Sequence, residues 1–168
     1  MSPPLNLPLI LEPADLHAQR ANPDLLIVDL CSADKYREGH IPGAVHLNTA
    51  ELILGEKPAP GQLPSPEKLA AALAAIGLTT DSHVVCYDDE GGPWAGRLIW
   101  TLDVIGHRKY SFLNGGKTAW LAEGFPLQSG EMAPHDEKRI DRDRAAIGRA
   151  DEHLTAALVD HDARDGLP

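Results

Sequence analysis

The sequence has few of the features that mark secreted, membrane or nucleic-acid-binding proteins. It contains only two cysteines in 168 residues, Cys31 and Cys86, too few for a disulfide scaffold, so both are predicted to be free thiols. No apolar run approaches the roughly 18 residues of a membrane span, and the amino terminus lacks the basic and apolar parts of a secretory signal. The net charge of -10, without clustered Lys or Arg, argues against a nucleic-acid surface. We therefore expect a cytoplasmic protein that binds neither membrane nor nucleic acid.

The residues that are present are typical of one globular domain. Hydrophobic residues make up 43% and charged residues 24% of the chain, which are ordinary values, and the length suits one domain with part of another. Strands are predicted at "DLLIVDL", residues 44–47, "SHVVCY" and "YSFL", and helices at "PADLHAQR", "PEKLAAALAAIG", "PWAGRLIWTLDVIG" and "GGKTAWLAEG". This alternation predicts an α/β fold, a doubly wound parallel sheet with helices on both faces.

Polar residues follow three of these strands. Asp29 and Cys31, Asp88, and Asn114 fall at carboxyl ends, where parallel sheets gather binding and catalytic groups. The polar residues after Cys31 are expected to form a bend.

The stretch "VVCYDDEGGPWAGR" reads as a strand, a glycine turn and a helix start, the usual setting of a nucleophile or a bound anion. Asp88 stands where the nucleophile would be, and eight residues separate it from Arg97. One interpretation is that Asp88 and its neighbours cap the helix and face water. Another is that Asp88, Asp89 and Glu90 hold Mg²⁺, although adjacent carboxylates rarely all point at one ion.

The two thiols and one histidine are the other candidates for chemistry. Cys31 follows a strand and could be exposed at the same rim as a reactive thiol, whereas Cys86 lies inside an apolar strand and is predicted to be core. His40 in "GHIPGA" is predicted to fix a loop by hydrogen bonds. No metal site is predicted from residue spacing.

Three motifs together resemble the rhodanese family. "VDLCSADKYREGHIPGAVHLN" is similar to its strand, Tyr-containing bend and Gly-His-Ile-Pro-Gly-Ala signature, and "LNGGKTAWLAEGFPL" to its closing Gly-Gly pair and Trp-bearing helix. Between them, "VVCYDDEGGPWAGRLIWTLDVIGH" resembles the strand, active-site loop and following helix. The resemblance covers residues 10–128 and implies sulfur transfer from thiosulfate or mercaptopyruvate through a cysteine persulfide, with no added cofactor.

This chain departs from the catalytic pattern of that family at two places. Asp88 occupies the position of the persulfide cysteine, and Asp29-Leu30-Cys31 stands where many catalytic domains have Asp-x-Arg. Such departures resemble the amino-terminal, non-catalytic domain of a tandem sulfurtransferase. No catalytic residue is therefore expected, and the vestigial active-site loop comprises Asp88, Asp89, Glu90, Gly91, Gly92 and Arg97.

The resemblance also implies a domain organisation. Residues 1–128 form the rhodanese-like domain, 129–149 an interdomain linker, and 150–168 the start of a truncated second domain. The expected partner is a carboxyl-terminal catalytic rhodanese domain, through which a small-molecule sulfur donor and acceptor would act, and this chain alone is expected to be inactive. The alternative is a free-standing non-catalytic rhodanese module that binds a protein partner.

Overall fold

The computed structural model describes residues 5–130, so the segment 131–168, with most of the predicted linker and all of the predicted second domain, lies outside the described residues. The described residues form five strands, five α-helices and one 3-10 helix, Thr49–Leu52, which follows the third strand. The strands are β1 Ile10–Leu11, β2 Leu25–Asp29, β3 Val45–His46, β4 His83–Tyr87 and β5 Tyr110–Leu113. The helices are α1 Pro13–Gln19, α2 Ala33–Glu38, α3 Pro66–Ala75, α4 Pro93–Val104 and α5 Gly116–Ala122.

All strand pairings in the sheet are parallel, in the order β1-β5-β4-β2-β3. The predicted α/β class with a parallel sheet is confirmed. Strand β4 lies at the centre and is buried along its whole length, which is why "HVVCY" reads as a continuous apolar run rather than an alternating one.

The alternation of side chains along the strands divides the core into two clusters, one on each face of the sheet. Val28, Val84 and Cys86 pack with helices α3 and α4 on one face. Ile27, Val85 and Tyr87 pack with α1 and α5 on the other. The prediction of helices on both faces is therefore confirmed.

Two elements differ from the sequence expectation. Strand β1 was not predicted because its two residues are too short to show a period, and it forms only by pairing with β5. The expected bend after Cys31 is instead helix α2, whose first turn is capped by the Ser32 hydroxyl accepting from the Lys35 amide. Six residues give too little helical periodicity to predict.

The largest fully buried side chain is that of Trp120 on α5. Its ring packs in the α1 and α5 cluster, and its indole Nε1 donates to the Pro126 carbonyl at 3.0 Å. The position of this tryptophan on the inner face of its helix, predicted from sequence, is confirmed.

Replacing Trp120 with Ala should lower the free energy of unfolding by about 3–5 kcal/mol, because the substitution leaves a large cavity in a closed core. Trp100 is the matched control: its side chain is 47% exposed and lies 4.6 Å from the Arg97 guanidinium. Trp100→Ala should cost about 1 kcal/mol or less. Chemical denaturation measures both, and equal losses would contradict the assignment of the core.

Candidate functional site: a carboxylate in the loop after the central strand

The side chain of Asp88 fills the loop between β4 and α4. Its Oδ1 accepts from the backbone amides of Glu90 at 3.0 Å and Gly92 at 2.8 Å. Its Oδ2 accepts from those of Trp94 at 2.9 Å and Ala95 at 3.0 Å. Four backbone donors on one buried carboxylate, two of them in the first turn of α4, are the arrangement expected of a bound anion. Here the anion is part of the chain.

The loop can point so many amides inward because of its glycines. Gly91 and Gly92 have φ of 88° and 112°, a left-handed conformation that other residues rarely adopt. A side chain at Gly92 would also meet the Phe112 ring at 3.1 Å. The pair of glycines in the sequence therefore has a geometric reason, which is to curl the chain around the Asp88 carboxylate.

The expectation that Asp88 caps the helix and faces water is half right. It does cap α4, through the amides of Trp94 and Ala95, but its residue exposure is only 5%. The side chain turns inward because the first amides of α4 have no partner within the helix and a carboxylate can accept their hydrogen bonds. Without this pairing, both groups would be buried with their hydrogen bonds unmade.

Asp89 and Glu90, the two carboxylates after Asp88, are arranged differently. Asp89 pairs with Lys35 of α2, and this hydrogen bond holds the pKa of Asp89 below its ordinary value of 3.8. Glu90 is exposed. Both oxygens of Asp88 and Oδ2 of Asp89 thus already have N–H partners. Residues 5–130 contain no group of three His, Cys, Asp or Glu side chains that could hold a metal ion, so the geometry of the described residues does not favour the magnesium interpretation.

Arg97 is not turned toward the loop. Its Nε and Nη2 donate to the Leu52 carbonyl at 3.2 and 2.9 Å, and its guanidinium lies over the Trp100 ring. The Arg97 side chain therefore joins α4 to the 3-10 helix and is not among the groups that bind Asp88. Sequence spacing places Arg97 one turn into the helix but cannot show this rotation.

The two thiols are held in the interior. Cys86 is fully buried, with its Sγ 3.6 Å from the carbonyls of Ala95 and Ser111, so the prediction that it is core is confirmed. Cys31 is 3% exposed instead of open at the rim, and burial, followed by the Asp29 carboxylate, raises the pKa of its thiol well above the ordinary value. Neither cysteine has the environment of a nucleophile, which needs a lowered pKa and access.

Asp29 and His40 are structural. The Asp29 carboxylate accepts from the Tyr87 hydroxyl at 2.6 Å and from the Cys31 amide at 2.8 Å. His40 is fully buried, stacks on the Tyr36 ring at 3.9 Å and bonds the Tyr36 carbonyl through Nδ1 at 2.8 Å. The interpretation of His40 as a histidine that fixes its loop is in accord with this geometry.

A cleft of about 320 Å³ opens beside the Asp88 loop at the carboxyl edge of the sheet. Its opposite wall is the turn after β5, with Asn114 and the glycine pair Gly115 and Gly116. Gly116 approaches so closely that an added Cβ would lie 2.8 Å from the Asp88 carbonyl oxygen. The polar residues at the ends of β4 and β5 are therefore brought together, as their positions in the sequence predict, whereas Cys31 beyond β2 is buried.

Two residues that shape this region are not among the candidates predicted from sequence. Lys35 forms an ion pair with Asp89. The sequence predicts a bend at Lys35, whereas the residue lies on helix α2. Phe112 contacts Gly92 and lines the cleft; its place in the strand "YSFL" next to the central one could have indicated this, since β5 neighbours β4.

These features define the class of the protein: a parallel α/β domain in which the loop after the central strand forms an anion cradle of backbone amides. The family model for the rhodanese-like domain matches residues 12–123, and the chain belongs to the rhodanese-like domain family.

Curated relatives of the chain are sulfurtransferases. It is 48% identical over 157 residues to a thiosulfate sulfurtransferase of Azotobacter vinelandii and 44% identical over 157 residues to one of Pseudomonas aeruginosa. Both alignments cover 87% of this chain and 58% of the relative. The chain thus spans less than two thirds of the length of these relatives.

A solved structure agrees in fold. The crystal structure of the 3-mercaptopyruvate sulfotransferase of Escherichia coli superposes with a TM-score of 0.68 at 29% identity, covering 75% of this chain and 52% of that one. No helix among the described residues has the length and apolar character needed to cross a bilayer.

Replacing Asp88 with Asn should lower the free energy of unfolding by about 2–4 kcal/mol, because an amide group would face backbone N–H donors in a buried loop. The matched control is Asp89→Asn, which removes an ion pair at the surface and should cost at most about 1 kcal/mol. Chemical denaturation of the two variants measures the difference. Equal stability of both would show that the Asp88 hydrogen bonds do not stabilise the loop.

Neither thiol of the native chain should react with iodoacetamide near neutral pH, because both are buried and their pKa values are raised. Mass spectrometry of the labelled protein checks this, with the denatured chain as the positive control for two modifications. Rapid labelling at Cys31 in the native state would contradict the buried geometry.

Proposed function

We propose that this chain acts as the amino-terminal, non-catalytic half of a tandem-domain sulfurtransferase that uses thiosulfate or mercaptopyruvate. Its role would be to stabilise a carboxyl-terminal catalytic rhodanese domain and to form one wall of that domain's cleft. The small-molecule sulfur donor and acceptor would then meet the partner domain, and the expected cytoplasmic location belongs to the same proposal.

The observation that carries the proposal is the occupation of the loop by Asp88. A persulfide or thiolate mechanism needs a sulfur at the head of the loop and free amide donors to stabilise its negative charge. In this chain four amides of the loop and of the first turn of α4 already bind the Asp88 carboxylate. The carboxylate also repels other anions such as thiosulfate.

The remaining thiols give this domain no substitute nucleophile. Cys86 faces the α3 and α4 side of the sheet and is fully buried, whereas a replacement for the missing sulfur would have to reach the loop head. Burial, followed by the negative charge of the nearby Asp29 carboxylate, raises the pKa of Cys31 and so disfavours a thiolate. The thiol that accepts the transferred sulfur as a persulfide would therefore belong to a residue outside 5–130.

The similarity to longer sulfurtransferases supports a two-domain parent. Relatives at 48% and 44% identity are matched over only 58% of their length, so each has room for a further domain beyond the matched part. A half that keeps its fold but has lost its nucleophile is consistent with this arrangement.

The purified chain should form no thiocyanate from thiosulfate and cyanide above the uncatalysed rate, because no described thiol is available to carry a persulfide. Thiocyanate is measured colorimetrically, and Cys31→Ser is the control. Turnover by the unaltered chain that disappears in the Cys31→Ser variant would overturn the claim that this half is inert.

A second measurement addresses the parent protein. Material captured from its source with an antibody to this domain should have an intact mass roughly twice that of this chain, as two similar domains would give. A mass equal to that of this chain would contradict the tandem arrangement and favour a free-standing module that binds a protein partner.

A further inference from the structure

His83 begins the central strand, at the end of the sheet opposite the Asp88 loop. The residue is 4% exposed. Its Nε2 lies 2.7 Å from the Ser111 hydroxyl, and that hydroxyl donates to the Pro8 carbonyl at 2.6 Å. Because the Ser111 proton is used on Pro8, the hydroxyl must accept from His83, so Nε2 carries the proton in the neutral ring. The His83–Ser111 bond thus joins β4 to β5, and the Ser111–Pro8 bond joins β5 to the segment before β1.

The other ring nitrogen of His83, Nδ1, is then an unprotonated acceptor. It is buried and has no hydrogen-bond partner among the described residues. A second proton would therefore place a charged donor in a closed interior with nothing to receive it, which is far costlier than leaving a neutral acceptor unpaired.

The charged groups around the ring oppose that second proton. The nearby basic residues are His107 and Lys109, and positive charge on them disfavours the imidazolium form of His83. The His107 Nε2 bonds the Ser82 carbonyl at 2.9 Å. The acidic residue beside His83 is Asp24, whose backbone carbonyl accepts the His83 amide at 2.8 Å. Burial, reinforced by His107 and Lys109, lowers the pKa of His83 below its ordinary value of 6.5.

The amino-terminal edge of the sheet lies next to Ser111, the partner of this ring. Strand β1 has two residues and one neighbouring strand; Leu9 and Ile10 are about half exposed, whereas Leu11 is buried. This edge is joined to β5 by bonds that include Phe112 N–H to the Leu9 carbonyl at 2.7 Å and Asn114 N–H to the Leu11 carbonyl at 2.9 Å. Short edge elements open at the smallest free-energy cost.

We propose that His83, Ser111 and Pro8 form an acid-sensitive clasp that holds residues 5–11 on the edge of the sheet. A proton on Nδ1 needs water. Ser111 lies against the ring and is bonded to Pro8 of the edge segment, so displacement of that segment is the opening through which water would reach the ring. The open form binds more protons than the closed form below the ordinary histidine pKa. The clasp is therefore closed above about pH 6.5 and opens as the pH falls from that value through the lowered pKa of the folded state.

Hydrogen exchange read by NMR at about pH 7.5 and about pH 5.5, two values that bracket histidine titration, tests the proposal. After correction for intrinsic rates, the amides of Phe112 and Asn114 should lose protection at the lower pH, because their acceptors lie in the released segment. The Leu30 amide, which donates to the Tyr87 carbonyl between central strands, should stay protected. Loss at all three amides together would mean global unfolding and would overturn the clasp.

The matched variants are His83→Gln and His17→Gln. A glutamine amide can replace the Nε2 donor to Ser111 but cannot gain a proton, so H83Q should abolish the pH-dependent loss at Phe112 and Asn114. His17 is exposed on α1, and H17Q should leave that loss unchanged. Persistence of the loss in H83Q, or its disappearance in H17Q or in His107→Gln alone, would overturn the proposal.

If H83Q does not fold, the unaltered chain still decides the question. The ring resonances of His83 should titrate with the same midpoint as the loss of protection at Phe112 and Asn114. Two separate midpoints would overturn the proposal. Ser111→Ala removes the middle hydroxyl, so the same amides should exchange rapidly at both pH values, and unaltered protection in that variant would also contradict the clasp.

Discussion

The binding of the Asp88 carboxylate by four backbone amides is the interaction on which this end of the domain depends. A helix begins with unpaired N–H groups, and a tight loop before it adds more. In this chain Asp88 satisfies two amides of the loop and two of the first turn of α4. Gly116 then packs against the Asp88 backbone, so the opposite wall of the cleft is positioned by the same turn.

Magnitudes separate this interaction from the ion pair beside it. A surface pair such as Lys35 with Asp89, in which the lysine side chain is 55% exposed, contributes at most about 1 kcal/mol. Hydrogen bonds to a buried charge contribute about 1.5–3 kcal/mol each, although several on one group do not add fully. The Asp88 bonds therefore fix the loop, and the Lys35 pair only restrains its outer side. The same comparison explains how the loop keeps its shape around the Asp88 carboxylate.

The environments at the two ends of the central strand favour opposite things: N–H donors surround a carboxylate at one end, and a positive charge is disfavoured at the other. At the carboxyl end, N–H donors converge on Asp88 and stabilise a negative charge. At the amino end, burial, reinforced by His107 and Lys109, lowers the pKa of His83 and so disfavours its charged form. Both residues are nearly fully buried, but their hydrogen-bond partners differ: Asp88 accepts from four N–H donors, whereas His83 Nδ1 has no partner among the described residues. Because the central strand is covered on both faces, its two ends are the places where Asp88 and His83 can find polar partners.

The sequence by itself determined the α/β class, the alternation of strands and helices in a parallel sheet, the buried strand before the loop, and the place of Asp88 at the end of that strand. These features follow from apolar periodicity, helix caps and glycine turns, which are local signals. Only the tertiary structure decided that Asp88 turns inward to four amides, that Arg97 turns away to the Leu52 carbonyl, and that Cys31 is closed off from solvent. It also decided the existence of β1, two residues that become a strand only beside β5. These outcomes depend on which groups lie near one another in space, and a residue's sequence neighbours do not contain that information.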